Sequence, residues 1–278
     1  LTHDKFIDCV NTVGCAIVSQ SGNLTPADKK LYALRDVTAT VDSIPLICSS
    51  IMSKKLAMNT DIILLDVKCG SGAFMKDVSN ALELANLMVD IGKKSDKNCK
   101  ALITDMNIPL GYNVGNSLEV IEAIETLKGN TKGNLLSLCV DISTEIVSLA
   151  LNLDYTIAKD KVLKSISSGK ALDTLSKMIE YQGGNANVVD DYSLFDIPKY
   201  SYEVKSKVNG YIHLIDSQEV GIVSLNLGAG RHTKLDSIDY SAGIVFNRQV
   251  GDAVSIGDTI ATLYSSKVFD FSQAEDRL

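Results

Sequence analysis

Asp61-Ile-Ile-Leu-Leu-Asp-Val-Lys-Cys-Gly-Ser-Gly72 opens on an apolar run and closes on two glycines around a serine. A short run rich in Ile, Leu and Val reads as a buried strand, and Gly70-Ser71-Gly72 as the turn that ends it. Downstream, Ala81, Leu82, Leu84, Leu87 and Met88 recur at helical spacing, so residues 79–92 read as an amphipathic helix. Ala101-Leu-Ile-Thr104 is a second short apolar strand, ending at Asp105-Met106. A loop from Asn107 to Asn116 leads into a helix over Ser117–Leu127. Strand, helix, strand, helix is the pattern of a parallel sheet with crossover helices. The fold class expected is α/β, a parallel or mixed sheet flanked by helices.

Upstream of that stretch the chain reads as helical. Thr25 is placed as an N-cap with Pro26 at the first helical position. A second helix follows Ser43-Ile44-Pro45 and runs to about Ala57. Downstream, three more helices are expected near 134–152, 157–168 and 170–181. After Gly183-Gly184 the grammar changes to short strands between glycines: Glu203–Val208, Tyr211–Ile215, Gly243–Phe246 and Thr259–Tyr264. Gly251-Asp-Ala-Val-Ser-Ile-Gly257 has a hairpin rhythm, and residues 266–278 read as a tail or short helix. The expected domains are 1–190, an α/β domain with 25–57 as its helical segment, and 191–278, a small α+β barrel-sandwich-like module.

Composition narrows the function. The 278 residues carry 27 Lys and Arg against 34 Asp and Glu, a net charge of −7, without the basic excess of a nucleic-acid binder. Uninterrupted apolar runs such as Ile62–Leu65 fall far short of the ~20 residues of a membrane span. No signal-peptide pattern opens the chain, and a cytoplasmic protein without membrane or nucleic-acid partners is expected. Six cysteines (9, 15, 48, 69, 99 and 139) lie scattered without a Cys-x-x-Cys pair, so they read as small buried apolar residues.

Tyr32-Ala-Leu-Arg-Asp-Val-Thr-Ala-Thr-Val-Asp-Ser-Ile-Pro-Leu-Ile47 is the stretch suited to chemistry. It is a polar, Thr-rich connection between two helices with an arginine at its head. Ser50 and Lys54 follow four residues apart, on one helix face. A guanidinium, a hydroxyl and an ammonium can thus converge on one planar, oxygen-bearing ligand. The spacing equally allows Arg35 to pair with Asp36 or Asp42 and Lys54 and Lys55 to be solvated. Gly70-Ser71-Gly72 fits neither the P-loop nor the dinucleotide fingerprint, and is taken as turn geometry rather than a phosphate cradle.

The same stretch, continued through Ser49-Ser50-Ile51-Met52-Ser53-Lys54-Lys55, closely resembles the thymidine phosphorylase and pyrimidine-nucleoside phosphorylase family. So do Leu65-Asp-Val-Lys-Cys-Gly-Ser-Gly-Ala-Phe-Met75 and Thr104-Asp-Met106. Pro109-Leu-Gly111 with Gly115-Asn-Ser-Leu-Glu-Val-Ile-Glu-Ala-Ile124 resembles the broader-specificity pyrimidine branch. Gly228-Ala-Gly-Arg231 and Ile238-Asp-Tyr-Ser-Ala-Gly243 resemble the family's C-terminal module, so the likeness runs from about Phe6 to Tyr264.

The resemblance implies reversible phosphorolysis of uridine, thymidine or deoxyuridine, with phosphate as co-substrate, giving the free base and a pentose 1-phosphate. It places the pyrimidine-binding residues on Arg35, Ser50 and Lys54. It also implies a potassium ion held by main-chain oxygens of Leu110 and Asn113 and by the Glu122 carboxylate; the family commonly has alanine at position 113, which leaves a main-chain ligand intact. It assigns no catalytic residue to this chain, and implies a homodimer for the full-length form. The family's phosphate-binding stretches, Lys-His-Ser-Thr-Gly-Gly and Thr-Gly-Gly-Thr-Asp, do not occur in the sequence. Together with Leu1 in place of Met, this sets the expectation of a C-terminal portion carrying the base-binding half, inactive by itself. The alternative is a truncated, catalytically inactive fragment or an interaction module on the same fold, with the barrel-sandwich-like region 200–265 serving assembly. A biotinyl or lipoyl carrier is disfavoured because no Met-Lys-Met or Asp-Lys-Ala tip is present. A phosphoribosyltransferase on the same fold is disfavoured by the Arg35, Ser50, Lys54 phrase.

Overall fold

A computed structural model describes all residues except 19–24, 36, 37, 39, 41, 42, 132 and 234; the side chains of His3, Ala33 and Arg35 also lie outside the description. The chain divides into two units, 1–105 with 138–184, and 106–137 with 185–278.

The first unit begins with α1 (His3–Val13), whose N-cap Thr2 accepts a hydrogen bond from the Lys5 amide. The sequence reading did not include this helix. Next come α2 (Pro26–Arg35), which starts at the predicted proline, and α3 (Ile44–Ala57), which has Pro45 in its first turn. Thr25 does not act as a side-chain cap: its Oγ1 is buried without a hydrogen-bond partner. The predicted βαβ unit follows as β1 (Ile62–Cys69), α4 (Val78–Lys94) and β2 (Asn98–Asp105). β1 and β2 pair in parallel from Ile62–Asn98 to Cys69–Asp105.

Period-two alternation decides which face of this sheet is core. Ile63, Leu65, Val67 and Cys69 point into a cluster with Cys48, Met52, Leu84 and Met88. The opposite face is mixed: half-buried Ile62 and Leu64 begin it, and Asp66, Lys68, Lys100 and Thr104 make its other part polar. There Asp66 accepts from Thr104 Oγ1 at 2.5 Å and pairs with Lys68 at 2.7 Å.

The second unit holds β3 (Asn113–Gly115) and α5 (Asn116–Leu127). Between the units in sequence runs α6 (Asn134–Leu151), and the first unit closes with α7 (Tyr155–Ser167) and α8 (Lys170–Tyr181). α6 is long and apolar enough to cross a membrane (mean hydropathy 1.5 over 18 residues), although Ser, Thr, Asp and Glu interrupt its apolar run. Its two acids are engaged: Asp141 accepts from Lys159 at 3.1 Å, and Glu145 pairs with Lys100.

After two 3₁₀ turns, the second unit continues through β4 (Tyr200–Lys205), β5 (Gly210–Tyr211), α9 (Ser217–Ser224), β6 (Gly243–Phe246), β7 (Ala253–Val254), β8 (Thr259–Ser265) and α10 (Ser272–Arg277). The main sheet is antiparallel in the order β3-β6-β8-β4, and β5 pairs with β7 apart from it. Val204, Ile244 and Leu263 from the sheet meet Val220, Val223 and Leu227 in a second core. The α/β class stands.

Residues 106–137 pack with the C-terminal residues, in contrast to a single cut at 190/191. The reason is a three-residue strand within the segment read from the sequence as a loop. β3 pairs with β6, with Gly115 opposite Gly243. Both glycines have positive φ, and a Cβ on Gly243 would lie 2.2 Å from the Val114 carbonyl oxygen. Backbones can approach this closely only where neither residue has a side chain.

Candidate functional site

The phrase singled out from the sequence lies in the first unit. α3 begins at Ile44 with Pro45 in its first turn, where a missing N–H costs nothing. From there helical periodicity puts Ser50 and Lys54 one turn apart, and Lys54 Nζ donates to Ser50 Oγ at 2.9 Å. Ser50 is buried at 7% exposure. The alternative of a solvated Lys54 does not hold. Its ammonium also pairs at 2.7 Å with Asp28 of α2, which is only 8% exposed.

Arg35 is the last residue of α2, and its side chain lies outside the described residues, as do Asp36 and Asp42, its alternative partners. The structure therefore joins Ser50 with Lys54 and adds Asp28, which the sequence reading missed. Its only signal was an acid in the first turn of α2, which reads equally well as a dipole-complementing residue.

The second residue set belongs to the other unit. Glu122 of α5 is 7% exposed. Its Oε1 accepts from the Tyr112 amide at 2.7 Å and its Oε2 from the Asn113 amide at 3.0 Å. Gly111 is needed beside it, since a Cβ there would sit 2.3 Å from Glu122 Oε2.

The Tyr112 carbonyl accepts from the Phe246 amide at 2.8 Å, toward the sheet. The Asn113 amide turns the other way, to Glu122. On a strand the N–H and C=O of one residue point to the same side, so the Asn113 carbonyl shares Glu122's side. Among the described residues no Lys, Arg or His pairs with Glu122, and a buried carboxylate is normally balanced by a cation or metal. The loop atoms seen against Glu122 are amide donors, so a hard monovalent ion there would have to use loop carbonyl oxygens and the lone pairs the carboxylate has left. No group of three or more His, Cys, Asp or Glu side chains suited to a metal occurs among the described residues.

The cysteines behave largely as read. Cys9, Cys48, Cys69 and Cys99 are buried and Cys15 is half-buried, but Cys139 on α6 is exposed. Burial pushes the thiols of Cys48 and Cys99 up. Gly70-Ser71-Gly72 forms a turn, with the Gly70 amide bonded to the Met75 carbonyl and the Ser71 carbonyl accepting from Lys76 Nζ.

Residues 1–172 match the family model described as "Glycosyl transferase family, a/b domain". The chain belongs to this glycosyl transferase family. Residues 211–278 match a second model, "Pyrimidine nucleoside phosphorylase C-terminal domain". A pyrimidine-nucleoside phosphorylase of Geobacillus stearothermophilus is 50% identical over 268 residues, 96% of this chain and 62% of that protein. The protein of the same name from Bacillus subtilis is 47% identical over 268 residues. That from Staphylococcus aureus is 48% identical over 264 residues, 61% of its length. The resemblance read from the motifs agrees with both family models and with these relatives. This member of the glycosyl transferase family spans less than two thirds of the length of these curated relatives.

Proposed function

We propose that the chain carries the pyrimidine-binding part of a nucleoside phosphorylase, in which phosphate attacks the anomeric carbon of a pyrimidine nucleoside. A phosphate oxygen–carbon bond forms, the glycosidic C–N bond breaks, and the base leaves with the bonding pair before taking up a proton. Uridine, thymidine and deoxyuridine are the substrates proposed, with phosphate as co-substrate. The observation that carries this reading is the Lys54–Ser50 pair at 2.9 Å on α3, within the phrase shared with the family.

The departing base gathers negative charge on its ring oxygens. Donors fixed beforehand stabilise that charge more in the transition state than in the ground state. Lys54 has three N–H donors, of which one goes to Ser50 and one to Asp28, leaving one for the ligand. Ser50 accepts through its oxygen, so its own O–H remains to donate. Arg35 supplies a planar fork in this reading. A potassium ion at the Leu110 and Asn113 carbonyls and the Glu122 carboxylate is part of this reading. Its support is the shared family phrase and the burial of Glu122 without a Lys, Arg or His partner among the described residues. The two amides leave further carboxylate lone pairs for an ion. When bound, that ion would supply counter-charge and tie the loop to α5.

The test is uracil binding to the 278-residue chain by isothermal titration calorimetry. Lys54→Ala and Arg35→Ala should each weaken affinity about tenfold or more, as loss of a charge-assisted hydrogen bond does. Wild-type affinity in both variants overturns the assignment.

A further inference from the structure

Asp28 plays no part in the reading above, yet it is the closest charged partner of that site's cation. It is a carboxylate at 8% exposure on α2, with Oδ2 2.7 Å from Lys54 Nζ. Lys54 keeps partial access to solvent, at 27% side-chain exposure, and reaches back to the 7%-exposed Ser50. A lysine stem has four rotatable bonds and no intrinsic direction for its donors. Here two of the three N–H vectors are fixed, by one acceptor on α2 and one on α3, so the third has a set direction. A buried carboxylate–lysine contact is unfavourable unless it is well bonded, and at 2.7 Å this one is.

We propose that Asp28 is a positioning residue of the pyrimidine site, aligning the Lys54 ammonium so that its remaining N–H meets a ring oxygen of the base. This inference rests on the base-site reading above. Asp28 does not touch the base; it acts through Lys54. A purely structural role, clamping α2 to α3, would lower stability without changing how Lys54 presents its donor.

The experiment is a double-mutant cycle on the full chain, with Asp28→Asn, Lys54→Ala and the pair, read by uracil calorimetry and thermal unfolding. The side-chain Cε–Hε NMR correlation of Lys54 is followed in parallel. Asp28→Asn should weaken uracil binding about tenfold in the wild-type background and add nothing in the Lys54→Ala background. It should also move the Lys54 correlation to the position of solvated lysines. An equal loss in both backgrounds, or an unmoved Lys54 correlation, overturns the proposal. Wild-type uracil affinity in Asp28→Asn, with weakened binding in Lys54→Ala, overturns the proposal and leaves the base-site reading standing. Unchanged affinity in Lys54→Ala overturns the proposal and, together with unchanged affinity in Arg35→Ala, the base-site reading as well. Should Asp28→Asn fail to fold, Asp28→Glu replaces it: the charge is kept one methylene out of place, so affinity and the Lys54 correlation should shift together. A shifted correlation with unchanged affinity overturns the proposal.

Discussion

At the scale of single residues, buried carboxylates carry most of the specificity of structure. Glu122 receives two amide hydrogens, and Glu122→Ala leaves both donors without their acceptor, at a cost of about 2–4 kcal/mol in denaturant unfolding. If potassium binds there, replacing it by lithium should lower the wild-type melting temperature and leave that of Glu122→Ala unchanged, because only native-state binding adds stability. An equal response in the two proteins counts against the cation. Asp239 presents a different balance. Burial pushes its carboxyl up, but the Ser241 hydroxyl at 2.6 Å, the Ser266 amide at 2.6 Å and the Ser241 amide at 3.1 Å outweigh it, so the net shift is downward. A depressed folded value stabilises above the ordinary carboxylate range and is lost as pH falls through the folded value. Asp239→Asn should therefore lower the melting temperature at pH 7, and the gap from wild type should close on acidification below about pH 4. A gap that persists at low pH would show that the carboxylate's charge is not the cause.

At the scale of elements, two helical glycines look alike in sequence and differ in what surrounds them. Gly92 of α4 faces β2 so closely that a Cβ would fall 2.5 Å from Cys99 Cβ and 2.8 Å from its Sγ. Gly92→Ala must push the helix off the strand, at about 1–3 kcal/mol. Gly221 of α9 has nothing within 4 Å of such a Cβ. Gly221→Ala should be neutral or stabilise by up to about 1 kcal/mol, since alanine restricts the unfolded chain and favours helix. Thermal or urea unfolding of the two variants checks both signs, and a destabilised Gly221→Ala would contradict the open environment seen around α9. Helix starts were legible from prolines at α2 and α3, whereas α1 and α9 were missed. α9 is an eight-residue helix capped by Asp216, which accepts from the Gln218 and Glu219 amides, and so short a segment shows little periodicity.

At the scale of the whole molecule, a phosphorylase must hold phosphate in line with the anomeric carbon, and that positioning supplies much of the rate. The family's phosphate-binding stretches do not occur in these 278 residues, and three histidines at 3, 213 and 232 do not replace them. Incubation of the purified chain with uridine or thymidine and phosphate should release base only at background. Turnover in the usual enzymatic range of about 1–10³ s⁻¹ would reveal an anion site elsewhere in the chain. Recovery of activity on adding a segment that contains the two stretches would support a site divided between them.

What the amino-acid order determined by itself was local. The apolar run of β1, the 3.6 period of α4 and the four-residue step from Ser50 to Lys54 are each read within one element. The βαβ unit was legible for the same reason, because strands joined by a helix pair in parallel with few alternatives. Tertiary structure decided what required distant segments to meet. β3 is strand only because β6 lies beside it, which is why residues 106–137 pack with the C-terminal residues. Asp28 is a first-turn acid until α2 packs on α3 and brings it, from 26 positions away, to 2.7 Å from Lys54. Such pairings depend on burial and on the direction of side chains in space, which no periodicity along the chain encodes.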